Sequence, residues 1–222
     1  MNADLWEKTY LDAHEYIFRL MGLMSDPVTG TAYHTLELHA FTNPCLITLE
    51  MESVPTISLH ITLEEWTQGQ RKSCYNQVFD ALHAGAPPPD SLPDSLSSFS
   101  ERHTLKDDQT VWIKQHFAAL DVQQLVTCGD GFAKDGYSRR GWIVQEAQQH
   151  SFDDYGGTYL REKCDCPVVF SFFKSLYQLA SSVMRKQESI AQLRSLKTSY
   201  FGVVGGQTSL LETPHLPSTI EG

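Results

Sequence analysis

Four side chains between positions 37 and 60 have the chemistry of a metal site. His39 and His60 occur with Glu37 and Glu50 in stretches where polar and apolar residues alternate. Imidazole nitrogens and carboxylate oxygens bind zinc and similar ions, and neighbouring strands could bring these groups together. The same residue types are also common on a solvated sheet face. A small metal-dependent enzyme that uses this His/Glu face is therefore an alternative prediction rather than the leading one.

The cysteines offer a second possible metal site. Cys164 and Cys166 are separated by one residue, with Cys128 and His150 elsewhere in the chain. Structural zinc sites usually place about two to four residues between paired cysteines, so this spacing disfavours zinc. One intervening residue would also strain a Cys164–Cys166 disulfide, and the cysteine usage is typical of a reducing compartment. We expect no metal and no cofactor, and a cytoplasmic location.

The chain lacks the short motifs that identify catalytic or phosphate-binding loops. His14-Glu15 begins like a zinc-protease motif, but Phe18 stands where the second histidine is required. No glycine-rich turn precedes a Lys-Ser/Thr pair, and no Gly-x-Gly-x-x-Gly is present. Arg139 and Arg140 form an isolated basic pair, which we expect in a solvated turn. These observations favour a binding protein over an enzyme.

Negative charge is concentrated in the first half of the chain. Residues 1–100 contain 13 acidic and 4 basic residues, whereas residues 101–222 contain 14 and 13, giving the net charge of −10. An acidic half repels phosphate, so nucleic acid is not an expected partner. It can attract a basic protein such as a nuclease, although such charge can also serve solubility alone. No apolar stretch approaches the ~18 residues of a membrane helix, so no membrane partner is expected.

Hydrophobic periodicity predicts the elements that position these side chains. Apolar residues recur at helical spacing over 5–24, behind a possible Asp4 cap and before a stop at Asp26-Pro27. Over 32–63 the pattern alternates and predicts a three-stranded meander with one apolar and one polar face. Further elements are predicted as helices over 70–83, 104–120 (capped by Thr104) and from Pro167 onward, with strands within 125–160.

Together these elements predict an α+β fold, in which an antiparallel β-sheet meander is covered on one face by amphipathic helices. We expect residues 1–195 to form a single domain that contains a Pro/Ser-rich loop at 85–98. Residues 196–222 are predicted to be a partly ordered C-terminal tail.

The order of motifs in the second half is similar to that of a known family. A helix ending at 117–120 precedes the Asp135-Gly136 turn, the Trp142-centred strand over 142–146, the segment Gln149-His150-Ser151-Phe152 and a closing helix. Over roughly residues 31–185 the chain resembles bacterial immunity proteins of polymorphic-toxin systems. The Trp-Ser-Pro that usually follows the hairpin is absent. The resemblance implies a non-enzymatic inhibitor that binds a cognate secreted toxin in the cytoplasm.

The leading hypothesis is therefore an immunity-like protein whose acidic surface occludes a toxin. The first-choice acidic patch on the meander comprises Glu37, Glu50, Glu52, Glu64 and Glu65. The second choice combines acids of the long loop with the hairpin, namely Asp90, Asp94, Asp153, Asp154 and Tyr155. A phage-type inhibitor of a host defence protein would bind by the same physics and is a further alternative.

Overall fold

The structure, a computed structural model, describes residues 3–24, 30–39, 42–64, 74–91, 96–129, 137–145, 148–156 and 167–201. Within these ranges the chain forms both helices and strands, which confirms the predicted α+β class. The helices are α1 (Ala3–Leu20), α2 (Cys74–His83), α3 (Asp107–Ala118), a short 3-10 turn (Val122–Gln124), α4 (Pro167–Val183) and α5 (Gln187–Phe201). The strands are β1 (Thr31–His39), β2 (Cys45–Glu50), β3 (Thr56–Glu64), β4 (Leu96–Thr104), β5 (Cys128–Gly129), β6 (Tyr137–Gln145) and β7 (Gln148–Gly156).

The strands form one sheet in the order β4-β3-β2-β1-β6-β7-β5. All neighbours are antiparallel except the two-residue β5, which pairs parallel to β7. The predicted meander of β1, β2 and β3 is confirmed, and β1 continues on its other side into the β6–β7 hairpin. β1 therefore lies at the centre of the sheet.

The sequence predicted that the apolar residues of the meander share one face, but they occupy both faces of the sheet. Leu36 pairs with Leu46 and packs with α1, whereas Ile47 and Leu49 face the opposite side and pack with α4. Helices thus cover both faces of the sheet rather than one. The prediction was wrong because a central strand between two layers of helices is buried on both faces. Its polar residues are therefore not exposed to solvent.

Helix α1 ends earlier than the predicted stop at Asp26-Pro27. Its last residue is Leu20, and Gly22 then adopts a left-handed conformation with φ of 65°. The backbone N–H of Leu23 donates to the carbonyl of Phe18 at 3.0 Å, closing the last turn. Glycine adopts this conformation without a Cβ clash, which explains why the helix ends here.

Strand β4 was not predicted and begins inside the proposed Pro/Ser-rich loop. Its side chains are mostly exposed, so the sequence there lacks the alternation by which strands are recognised. The following helix α3 begins at Asp107 and does not use the predicted Thr104 cap. Instead the Gln109 side chain accepts a hydrogen bond from the backbone N–H of Lys106 at 3.0 Å.

Helix α5 was also not predicted, and it crosses the proposed domain end at residue 195. A carboxylate of β4 fixes its start, because Glu101 accepts hydrogen bonds from the backbone N–H groups of Arg185 at 2.8 Å and Lys186 at 3.2 Å. Burial opposes ionisation of Glu101, but hydrogen bonds from His103 and these N–H groups lower its pKa to about 2. No helix in the described ranges combines the length and apolarity needed to span a bilayer.

Candidate functional site

Two adjacent arginines in β6 define the charged interior of the molecule. Arg139 and Arg140 are both buried in the strand, so the predicted solvated turn is wrong. Successive residues of a strand point to opposite faces of the sheet. Arg139 therefore faces α4, whereas Arg140 faces α1, and each meets its own set of carboxylates.

The Arg140 cluster joins α1 to the β6–β7 hairpin. The Arg140 guanidinium donates from Nε and Nη2 to the two carboxylate oxygens of Asp153, at 2.7 and 3.0 Å. Its Nη1 donates to Asp12 at 2.6 Å and to Glu15 at 3.0 Å. The Tyr155 hydroxyl completes the set by donating to Asp153 at 2.9 Å. Arg140 thus holds three carboxylates from two elements.

Two further cations of α1 reach the same carboxylates. Lys8 donates to the second oxygen of Asp12 at 2.7 Å, and Arg19 lies 3.1 Å from the second oxygen of Glu15. Lys8 is the most exposed member, with 62% of its side-chain surface accessible. The carboxylates of Asp12, Glu15 and Asp153 are each bound by at least one cation.

The Arg140 cluster forms one wall of an open cavity of about 620 Å³. Tyr155 and the exposed Ser151 of β7 lie at the cavity, and Trp142 of β6 is buried at its base. Of the ten residues predicted to bind a partner, Asp153 and Tyr155 are the two that line this cavity. Its other lining residues are Thr127, Cys128, Gln149 and Phe152.

Arg140 acts as a fixed cation rather than a proton donor. Burial disfavours its charged form, but the hydrogen bonds and charges of Asp153 and Asp12 outweigh that effect and raise the Arg140 pKa further above its usual value. Arg140 therefore contributes a positive charge that does not titrate, which suits recognition through fixed charges.

The Arg139 cluster is sealed beneath α4. The Arg139 guanidinium lies 3.1 Å from Glu37 and 3.4 Å from Asp154, and its Cζ stacks 3.9 Å above the Tyr137 ring centre. Glu37 also accepts a hydrogen bond from Thr35 at 3.0 Å. The predicted surface residues Glu37 and Asp154 are thus inside the molecule, because they neutralise a buried arginine.

The remaining predicted partner-binding residues do not gather into one patch. Glu50 lies on the sheet face opposite Glu37, where it accepts hydrogen bonds from Arg102 at 2.6 Å and Thr56 at 3.1 Å. Glu52 and Asp90 are exposed and lie apart from the Arg140 cavity lining. The side chains of Glu64, Glu65 and Asp94 lie outside the described residues.

The register of the sheet separates the two histidines of the metal hypothesis. His39 faces the α4 side, with Nε2 at 2.9 Å from Glu37, whereas His60 faces the opposite side, with Nδ1 at 2.7 Å from Ser100. Side chains on opposite faces of one sheet do not ligate a common ion. Within the part of the chain that the structure describes, no group of three His, Cys, Asp or Glu side chains is arranged to hold a metal.

One cysteine at the cavity departs from the sequence prediction. Cys128 is disulfide-bonded, whereas Cys45 and Cys74 are buried free thiols. From the sequence, a disulfide was considered only between Cys164 and Cys166, both outside the described residues. His150, the other suggested zinc ligand, places Nε2 2.7 Å from the Leu125 carbonyl oxygen.

Sequence reasoning missed Asp12, Glu15 and Arg140, which are central to the cavity. Asp12 and Glu15 are three residues apart and so share one side of α1. Lys8 and Arg19 extend the same row at four-residue spacing. This row of charges indicates a helix that packs against a buried residue of opposite charge. That Arg140 of β6 is this residue could not be identified without the tertiary structure.

No protein-family model and no curated protein sequence matches this chain. The geometry of its own residues is therefore the basis for assigning a function.

Proposed function

We propose that this protein is a non-enzymatic inhibitor of the immunity type, which binds a cognate secreted toxin directly through the Arg140 cavity. One observation carries the proposal. The cavity wall holds three carboxylates around one buried guanidinium, and its second cation, Lys8, is largely exposed. Such a wall suits a basic group of a partner protein, in keeping with the net charge of −10.

Lys8 is the part of the cluster that a partner could replace most easily. Its bond to Asp12 is an exposed pair at four-residue spacing, and such pairs contribute only about 0.3–0.5 kcal/mol. A lysine or arginine of the toxin could take the place of Lys8 on Asp12 at little cost. Arg140 would keep the carboxylates in place during this exchange.

Tyr155 is the expected anchor of the interface. Its ring is half-buried, and its hydroxyl is held by Asp153. Tyrosine contributes large contact area with little loss of conformational freedom, and interface energy concentrates in a few such residues. Trp142, by contrast, is fully buried and supports the cavity from below.

The test of this function is co-expression with the product of the neighbouring gene. We expect that product to stop growth alone, to be harmless with this protein, and to form a stoichiometric complex with it. A benign neighbour that does not bind would overturn the immunity function. Inhibition of a host defence factor would instead be indicated if the gene lies in a phage or mobile element and the protein binds a defence protein.

A pair of matched variants tests the interface. Ser151→Arg introduces a large cation at the cavity, whereas Gln115→Arg introduces the same residue at an exposed position of α3. We expect only Ser151→Arg to weaken toxin binding, by at least about tenfold, or roughly 1.4 kcal/mol. Association with wild type should also slow as salt rises. Equal affinity of both variants would show that the toxin binds elsewhere.

A further inference from the structure

A second cavity, of about 380 Å³, lies between α1, α2 and the ends of β2 and β3. Tyr10 and His14 of α1 and Tyr75 of α2 form its aromatic wall. Asn43 and Thr62 contribute an amide and a hydroxyl to its lining. Its volume falls in the range of about 300–1,000 Å³ that is usual for small-molecule sites.

The cavity differs from the Arg140 cavity in its charge. Among the described residues that line it, none is an aspartate, glutamate, lysine or arginine. The one titratable imidazole is neutral, because burial lowers the pKa of His14 to about 3. A charged ligand would lose its hydration here without gaining a counter-charge from the described lining residues, which favours an uncharged ligand.

His14 is a buried polar side chain that the described residues contact through their aromatic rings. Its ring stacks on Tyr75 with centroids 4.5 Å apart and packs edge-to-face with Tyr10 with centroids 5.0 Å apart. Only 6% of His14 is exposed, and no described residue gives its ring nitrogens a hydrogen-bond partner. A ligand that offers the imidazole a hydrogen bond would add an interaction that the described residues do not supply.

We propose that this cavity binds a small uncharged molecule that has a hydrogen-bonding aromatic ring, of the nucleoside class. Contact with the aromatic wall would hold the ring. A neutral imidazole presents one donor and one acceptor, and the Asn43 amide presents both, which suits the adjacent donors and acceptors on a base edge. This inference goes beyond the proposed toxin-binding function and does not depend on it.

Titrations of the full-length protein with adenosine and uridine test the site, with adenosine monophosphate as the charged comparison and glucose as a non-aromatic one. In protein labelled in its histidine rings, we expect a nucleoside to shift the His14 ring signals. We expect the charged nucleotide to bind at least about tenfold more weakly than adenosine. Ligand-observed NMR would give the dissociation constants for wild type and variants.

His14→Phe keeps a ring for stacking and removes both nitrogens, so we expect it to weaken nucleoside binding at least about tenfold. His83→Phe changes an exposed histidine at the far end of the same aromatic row and should bind as wild type does. Asn43→Ala, on an exposed side chain, is the second test if His14→Phe does not fold, and it should also weaken binding.

Three results would overturn the inference. They are no nucleoside binding below about 10 mM, unchanged affinity in both cavity variants, and equal or tighter binding of adenosine monophosphate or glucose.

Discussion

Arg139 and Arg140 are neighbours in one strand, yet they belong to two different kinds of region. The Arg139 cluster is closed, and its partner Glu37 has no exposed side-chain surface. In the Arg140 cluster, 33% of the Asp12 side chain and 18% of the Glu15 side chain are exposed. The same residue types therefore form a sealed structural network on one face and an accessible charged wall on the other.

The difference follows from the helices that cover each face. Helix α4 presents mainly apolar residues such as Phe172, Phe173 and Leu176 to the sheet, and these exclude water from Arg139. Helix α1 brings Asp12 and Glu15 to its own contact with the sheet, so water reaches part of that contact. Burial, rather than charge, decides which cluster can meet a partner.

Arg139→Met should have the largest effect on stability. It leaves Glu37 and Asp154 buried without their cation, and breaking a buried pair in this way costs about 3–5 kcal/mol. Urea denaturation followed by tryptophan fluorescence would measure the loss. Adding Glu37→Gln should recover part of it, because one uncompensated charge is removed. A loss below about 1 kcal/mol would mean that water reaches this cluster and would remove the contrast with Arg140.

Low pH should destabilise the α1 side of the molecule through His14. Its pKa is lowered to about 3 in the folded protein, so between pH 6.5 and 3 the unfolded chain binds a proton that the folded chain does not. The contribution of His14 to stability is therefore complete above pH 6.5 and falls by about 1.4 kcal/mol per pH unit below it.

Comparison of wild type with His14→Phe at pH 7 and pH 4.5 isolates this contribution, with His83→Phe as the control. Wild type should lose about 2–3 kcal/mol more than His14→Phe between the two pH values. Hydrogen exchange should show α1 opening before α4 in acid. Equal dependence of the free energy of unfolding on pH in wild type and His14→Phe would contradict this contribution of His14.

Arg140→Met should be milder than Arg139→Met. Asp12 and Glu15 keep Lys8, Arg19 and water, and Asp153, with 11% of its side chain exposed, keeps the Tyr155 hydroxyl. We therefore expect a loss of about 1–2 kcal/mol from the free energy of unfolding. The same denaturation experiment measures it. A loss equal to that of Arg139→Met would show that exposure does not distinguish the two clusters.

Lys8→Gln should have the smallest effect on stability. It should lower the free energy of unfolding by less than about 0.5 kcal/mol, because the Lys8–Asp12 pair is exposed. If Lys8 gives way to a basic group of the toxin, the variant should bind at least as tightly as wild type. Weaker toxin binding by Lys8→Gln, with stability unchanged, would contradict that exchange.

Local pattern was sufficient for the elements that bury a clear apolar stripe. Helix α1, the meander and the start of α4 at Pro167 were all predicted from periodicity. Strand β4 was missed because an exposed edge strand lacks alternation, and α5 because it is fixed by a distant carboxylate, Glu101. The candidate site was recovered only at Asp153 and Tyr155, since Asp12 and Glu15 lie on α1 and Arg140 on β6, far from them in sequence.

The sequence by itself determined the α+β class, the acidic character and the positions of the main helices, because these depend on composition and on spacing along the chain. Only the tertiary structure decided which face each strand residue occupies, since register and helix cover are long-range properties. That is why Glu37 is a buried counter-ion, why His39 and His60 lie on opposite faces, and why two adjacent arginines have different partners.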